Sequence, residues 1–192
     1  MADSRALRVA VVTGANRGIG LEICRQLAQR SEFRVMLTSR DESGGRAAAE
    51  DLRAEGLAVD YQRLDVTREA DIAMLAGHLA KAYQRCDVLV NNAGVMIDPR
   101  GSRVLDSRIE TYRDTLEVNF YGPLRLAQAL VPLMKKARYG RIVNVSSGQG
   151  QLSEMGVGTP AYRVSKTALN ALTRTDRKST PLNSSHMSES RM

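Results

Sequence analysis

Histidine is nearly missing from this chain: there are two in 192 residues, His78 within a helical stretch and His186 near the C-terminus. A Ser-His-Asp triad or a histidine-bearing metal site therefore has almost no material, and proton chemistry must fall to another residue type. No metal is expected. Cysteine is as scarce. Cys24 and Cys86 lie inside apolar-periodic stretches, with neither metal-ligand spacing nor the density of a disulfide framework. Buried free thiols in a reducing compartment, the cytoplasm, are the expectation. Also absent is any run approaching the roughly 18 apolar residues of a membrane span. The opening MADSRALRVAVVTG holds no signal-peptide core, so neither membrane nor export is expected.

Basic runs are missing too. The formal net charge is +7, yet Lys and Arg are spread along the chain without a cluster of about five to eight residues. Six tyrosines and two phenylalanines supply all the aromatic rings. This disfavours a nucleic-acid partner and suits a solvated basic surface, with a few arginines left to hold a phosphate.

What is present has a clear order. The length suffices for one domain with a substantial core. Apolar, strand-like runs at 7–13, 33–39, 58–66, 87–94 and 140–147 alternate with helical periodicity over 18–30, 41–55, 68–83 and 109–136. A last helix starts at 159–161. Strands separated by helices of about 10 to 15 residues predict right-handed βαβ units, hence an α/β fold with a doubly wound, Rossmann-like parallel sheet. Ligands in such sheets bind beyond the carboxyl ends of the strands, at loops 14–18, 39–41, 65–67, 92–99 and 146–158 here.

The first of these loops reads TGANRGIG, with Gly14, Gly18 and Gly20 between the first strand and the first helix. Glycines there let the backbone turn sharply and approach a pyrophosphate at a helix N-terminus; an ordinary tight turn is the plainer alternative. Tyr162 and Lys166, at i and i+4 of the last helix, share a face. A phenol with a pKa near 10 is a poor acid–base group at neutral pH, and a neighbouring ammonium favours phenolate. Taken alone, the pair reads first as an exposed i,i+4 pair on a helix surface.

The glycine spacing, NNAG at 91–94, NVSS at 144–147 and YRVSK at 162–166 together resemble the short-chain dehydrogenase/reductase family, and its carbonyl-reductase-like branch in particular. The resemblance runs from residue 7 to about 175. It implies Tyr162 as general acid in carbonyl reduction and general base in alcohol oxidation. It implies Lys166 as the group that eases proton loss from Tyr162 and holds the nicotinamide ribose. Ser147 would bond the substrate oxygen, with Ser146 as the fallback; either hydroxyl can instead cap the next turn, a role suited to Ser146. Asn119 would support a water near the lysine, or be a buried amide satisfying its own backbone. Cofactor contacts are implied at Gly14, Arg17, Gly18, Ile19, Gly20, Arg40, Asp65, Val66 and Asn92, besides Tyr162 and Lys166.

Cofactor choice has a physical argument. An acidic residue ending strand two would bond a ribose 2′-hydroxyl and repel a 2′-phosphate, but this strand ends in Ser39-Arg40 with Asp41 one further on. Arg40 with Arg17 would bind a 2′-phosphate, so NADPH is expected over NAD, unless both arginines merely face solvent. Asp65 would meet the adenine, or only cap a helix.

Past Thr175 the character changes. DRKSTPLNSSHMSESRM is Ser-rich and has no hydrophobic face, where the resemblance implies a sixth strand, a substrate-covering segment and a seventh strand. DRKSTPLNSSH also back-translates to a close match of a common sequencing adapter read in frame. The expectation is an incomplete reductase domain over 1–175, its C-terminal strands missing, then a non-native or disordered tail over 176–192. A bare sheet edge and half a substrate pocket would leave such a chain inactive or prone to aggregate.

The functional expectation is an NADPH-dependent oxidoreductase acting on a small carbonyl or alcohol. Pairing of copies through 109–136 and 160–175 is implied by the resemblance. A non-catalytic nucleotide-binding module, or an inactive fragment, is the alternative.

Overall fold

Val-rich runs make the centre of the sheet. The computed structural model describes residues 7–179 and 185–187. Strands β1 (Arg8–Val12), β2 (Phe33–Ser39), β3 (Val59–Arg63), β4 (Val88–Asn91) and β5 (Arg141–Val145) alternate with six helices. These are α1 (Gly18–Ala28), α2 (Glu42–Ala54), α3 (Glu69–Ala82), α4 (Ile109–Leu116), α5 (Gly122–Lys136) and α6 (Pro160–Ser179). All strand pairs are parallel, and a three-residue β6 (Ser185–Met187) closes the order β3-β2-β1-β4-β5-β6.

The continuous apolar runs are explained by burial on both faces. Val9, Val11 and Met36 point into one layer, against Leu75 and Leu79 of α3 and Leu126 and Leu130 of α5. Their neighbours Ala10, Val12, Val35 and Leu37 point into the other, against Cys24 and Ala28 of α1 and Ala49 and Leu52 of α2. Each fully buried Leu of this set contributes about 1.5–3 kcal/mol over leaving it exposed. The two cysteines divide between the layers as buried free thiols, and burial pushes both pKa values up to about 12.

Two expectations are corrected. The helix read as continuous over 109–136 is interrupted by a π-helical turn, Glu117–Tyr121, in which the Gly122 N–H reaches back to the Glu117 carbonyl. The reason is Pro123, which has no N–H to give the Asn119 carbonyl four residues earlier, so the ladder widens by a residue. At the other end, α6 runs to Ser179 and Ser185–Met187 pairs with Val143–Val145. The outer edge of β5, expected to be bare, thus carries a short strand. Residues 180–184 and 188–192 of the tail lie outside the described residues.

β1 and β4 are neighbours, so the loops that follow them leave in opposite directions and open a crevice at their carboxyl ends. The motifs of the sequence lie around that crevice.

Candidate active site

Thr13 follows β1 directly and begins the site. Its hydroxyl accepts the N–H groups of Asn92 (3.0 Å) and Ala93 (2.9 Å), joining the first loop to the NNAG loop. Gly14 follows with φ +60°, and a Cβ there would stand 2.9 Å from Ala93 Cα. Gly20 is as tightly placed: a Cβ there would run into Asn92 Nδ2 and stand 2.7 Å from the Gly14 oxygen. Asn92 itself donates to the carbonyls of Thr13 (2.9 Å) and Gly14 (3.0 Å). The glycines are therefore required by close approach, and Asn92 is the staple between the two loops. No side chain caps α1, and its first turn holds no acidic residue, so the first N–H groups of the helix are left for an anion.

A cavity of about 550 Å³ lies over this turn, lined by Gly14, Arg17, Gly18, Ile19, Gly20, Arg40, Asp65, Val66 and Asn92 among others. Every cofactor residue expected outside the last helix is in this lining. Arg17 and Arg40 are exposed on the same cavity and not scattered over the surface. Asp41, which could have served a ribose hydroxyl, spends a carboxylate oxygen capping α2 at Gly44 N (3.2 Å). Asp65 does not cap α3, whose N-cap is Arg68 and which has no side-chain cap. It lines the cavity, and its Oδ1 accepts from the N–H (3.0 Å) and hydroxyl (2.7 Å) of Thr67. Burial works against that carboxylate, yet Thr67 with Arg40 and Arg63 holds its pKa below the usual value.

A second cavity of about 350 Å³ continues from the first, sharing Ile19, Asn92, Gly94 and Val95, and is closed by Ser146, Ser147, Tyr162 and Lys166. Lys166 is only 4% exposed, so the pair is no surface feature. Its Nζ donates to the Val145 carbonyl (2.9 Å) and lies 5.7 Å from the centre of the Tyr162 ring. Desolvation draws the lysine pKa down to about 8.

The turn-capping role suited to Ser146 falls to Ser147. Ser147, not Ser146, caps the next turn, its Oγ accepting from Gln149 N at 3.2 Å. That leaves the Ser147 O–H as a donor toward the cavity. Ser146 is buried with no partner for its Oγ.

Asn119 is fully buried and does not serve its own backbone. It exchanges two 2.8 Å bonds with the N–H and C=O of Val95 and donates to Ser165 Oγ at 3.0 Å. It stands in the π-helical turn, close enough that a Cβ on Gly94 would lie 3.3 Å from Asn119 Oδ1 and 3.5 Å from Lys166 Nζ.

Sequence reasoning missed Thr13, Val95, Asp98 and Ser165. Each takes part in a bond across 24 to 80 residues, side chain to backbone for Thr13, Val95 and Asp98 and side chain to side chain between Asn119 and Ser165, which leaves no local pattern. The NFYGP string did carry one unread signal, the proline that opens the π turn. Among the described residues, no helix is long and apolar enough to cross a membrane, and no group of three or more His, Cys, Asp or Glu could hold a metal ion.

The profile of the family described as short chain dehydrogenase matches residues 8–181. The (+)-neomenthol dehydrogenase of Arabidopsis thaliana is 41% identical, the match covering 77% of this chain and 56% of that protein. Carbonyl reductase [NADPH] 3 of Rattus norvegicus is 43% identical over 77% of this chain and 51% of its own. The chain spans about half the length of the curated relatives it matches. Among solved structures, a metagenomic short-chain oxidoreductase in complex with NADP superposes with a TM-score of 0.84 at 34% identity, covering 96% of this chain and 82% of that one. A gluconate 5-dehydrogenase from Burkholderia cenocepacia, in complex with NADP and tartrate, gives 0.83 at 28% identity, covering 94% and 70%.

Proposed function

The chain belongs to the short chain dehydrogenase family, in its carbonyl-reductase-like branch, and on that premise we propose that it forms the cofactor and acid–base part of an NADPH-dependent carbonyl reductase. The observation that carries this reading is the continuity of the two cavities: the glycine loop lines one end, and Ser147, Tyr162 and Lys166 line the other.

The residues fit a nicotinamide dinucleotide phosphate. The uncapped head of α1 suits its pyrophosphate, and Arg17 and Arg40 suit a 2′-phosphate, while Asp41, in the same lining, is engaged by Gly44 N at the head of α2. Asp65 and Val66 suit the adenine. NADP is also what the most similar solved structure quoted above holds, and NADPH stands in the name of the rat relative. When bound, the cofactor supplies the hydride.

The chain supplies the rest. Ser147, its lone pair engaged by Gln149 N, donates its hydroxyl proton to the substrate oxygen and fixes the carbonyl. Tyr162 delivers the proton to that oxygen as it gains charge, or removes it in alcohol oxidation. Lys166, desolvated and anchored on Val145, stands beside the Tyr162 ring and stabilises the phenolate that remains. The Asn119 carbonyl, freed of its i+4 donor, is left to hold a water near the lysine. The wild-type substrate is a small carbonyl compound or alcohol. A cytoplasmic setting is part of the reading, supported by two buried thiols that form no disulfide. So is pairing of copies through α5 and α6, supported by an apolar groove between them that includes Leu124, Val131 and Leu172.

Single-turnover oxidation of NADPH with para-nitrobenzaldehyde tests the proposal. Tyr162→Phe should slow hydride transfer by about 10² to 10⁴-fold, while NADPH affinity stays within about twofold. If the chain binds NADPH and the two proteins react alike, it is a nucleotide-binding module and the catalytic reading is wrong.

A further inference from the structure

The helix that carries Tyr162 and Lys166 does not cap itself. Thr159, the residue before Pro160, has φ +46°, outside the extended backbone of an ordinary N-cap, and its hydroxyl is spent on Gln149 Oε1 at 2.8 Å. Pro160 has no N–H. The next two N–H groups, of Ala161 and Tyr162, would be orphans but for a residue over sixty positions earlier. Asp98 Oδ1 accepts from Ala161 N at 2.8 Å and Asp98 Oδ2 from Tyr162 N at 3.0 Å. Only at Arg163 does the helix satisfy itself, through the Thr159 carbonyl.

The other side of the Tyr162 residue is held from the same loop. Its carbonyl accepts from Ser165 Oγ (2.7 Å), Ser165 Oγ accepts from Asn119 Nδ2, and Asn119 is locked on Val95. Both the N–H and the C=O of Tyr162 are thus tied to the segment 95–98. That segment continues the NNAG loop, whose Gly94 and Val95 line both cavities.

We propose that Asp98 is a positioning residue for Tyr162: by gripping the first two N–H groups of α6 it sets the phenol against Ser147 and couples it to the cofactor loop. The proposal rests on Tyr162 being the acid–base group. A bidentate carboxylate on two helix N–H groups makes charge-assisted bonds and also meets the positive end of the helix dipole. Its loss leaves two amides free and lets the head of α6 shift, and a displacement of about 1 Å at a reacting group costs about a hundredfold in rate.

The test uses the whole chain and three proteins: wild type, Asp98→Ala and Asp98→Asn. Hydrogen exchange at Ala161 and Tyr162 is measured without ligand, then NADPH affinity and single-turnover reduction of para-nitrobenzaldehyde. Asp98→Ala should expose both amides to exchange and slow hydride transfer by about tenfold to a hundredfold, with NADPH affinity within about twofold. Asp98→Asn, which keeps one accepting oxygen, should restore part of the protection and part of the rate. Unchanged exchange in Asp98→Ala overturns the proposal, as does lost protection with an unchanged rate. A silent wild type whose amide protection still depends on Asp98 sinks the catalytic reading above while leaving the grip of Asp98 on α6 supported.

Discussion

The two ends of the cleft are built by different means. At the α1 end the backbone is the instrument: Gly14 and Gly20 lie so close to Ala93 and Asn92 that a methyl group has no room. At the α6 end side chains do the holding, with Asp98, Asn119 and Ser165 bridging segments far apart in sequence. The first kind of site is intolerant but locally encoded. The second is assembled only when the fold is complete, so it should fail in degrees and by way of position.

Exchanging the damage between the two ends tests that contrast. The largest effect should come from Gly20→Val, which forces a branched side chain into Asn92 and the Gly14 carbonyl. NADPH affinity should fall by about a thousandfold or more, read by fluorescence titration, while the amides of Ala161 and Tyr162 keep their protection. Loss of that protection would mean the two ends are not separately held. Asn119→Ala should do the reverse. It strands the N–H and C=O of Val95 and should cost about 3 kcal/mol in urea unfolding, with the α6 amides loosened and NADPH affinity largely kept.

The smallest effect concerns Lys166, whose folded pKa is about 8 because burial disfavours the ammonium, against 10.5 for the free side chain. Below pH 8 both folded and unfolded chains carry the charge, and the cost of burying it is fully present. Between pH 8 and about 10.5 the unfolded chain binds more protons than the folded one, so this contribution to stability rises with pH. Lys166→Met should therefore be the more stable protein at pH 7, by about 2 kcal/mol, with a margin that closes as pH approaches 10.5. Hydride transfer should move the other way, falling above pH 8 as the ammonium is lost.

This contrast also explains what could be read from the sequence. β2 was legible to the residue, because an apolar run buried on both faces has sharp ends. So were Gly14, Gly18 and Gly20, whose spacing shows within one short loop, and Tyr162 with Lys166, four residues apart on one helix. The choice between Ser146 and Ser147 as the capping hydroxyl was not, since it depends on where the Gln149 amide comes to rest. Asp98 was invisible because its partners are 63 and 64 residues away. The break at Glu117–Tyr121 was within reach, but apolar periodicity runs through a π turn without marking it, and only Pro123 betrays the step.

That step has an angular consequence. In an unbroken α-helix a residue seven positions on returns to within about 20° of the same direction, so Asn119 would stack in line with Leu126 and face the apolar layer under the sheet. One surplus residue in the turn swings everything upstream by about 100° of rotation. The wide turn thus works as an indexing notch: it lets one rod aim leucines at the sheet below the notch and an amide at the β4 loop and α6 above it, two bearings that a regular spiral of this length cannot serve at once.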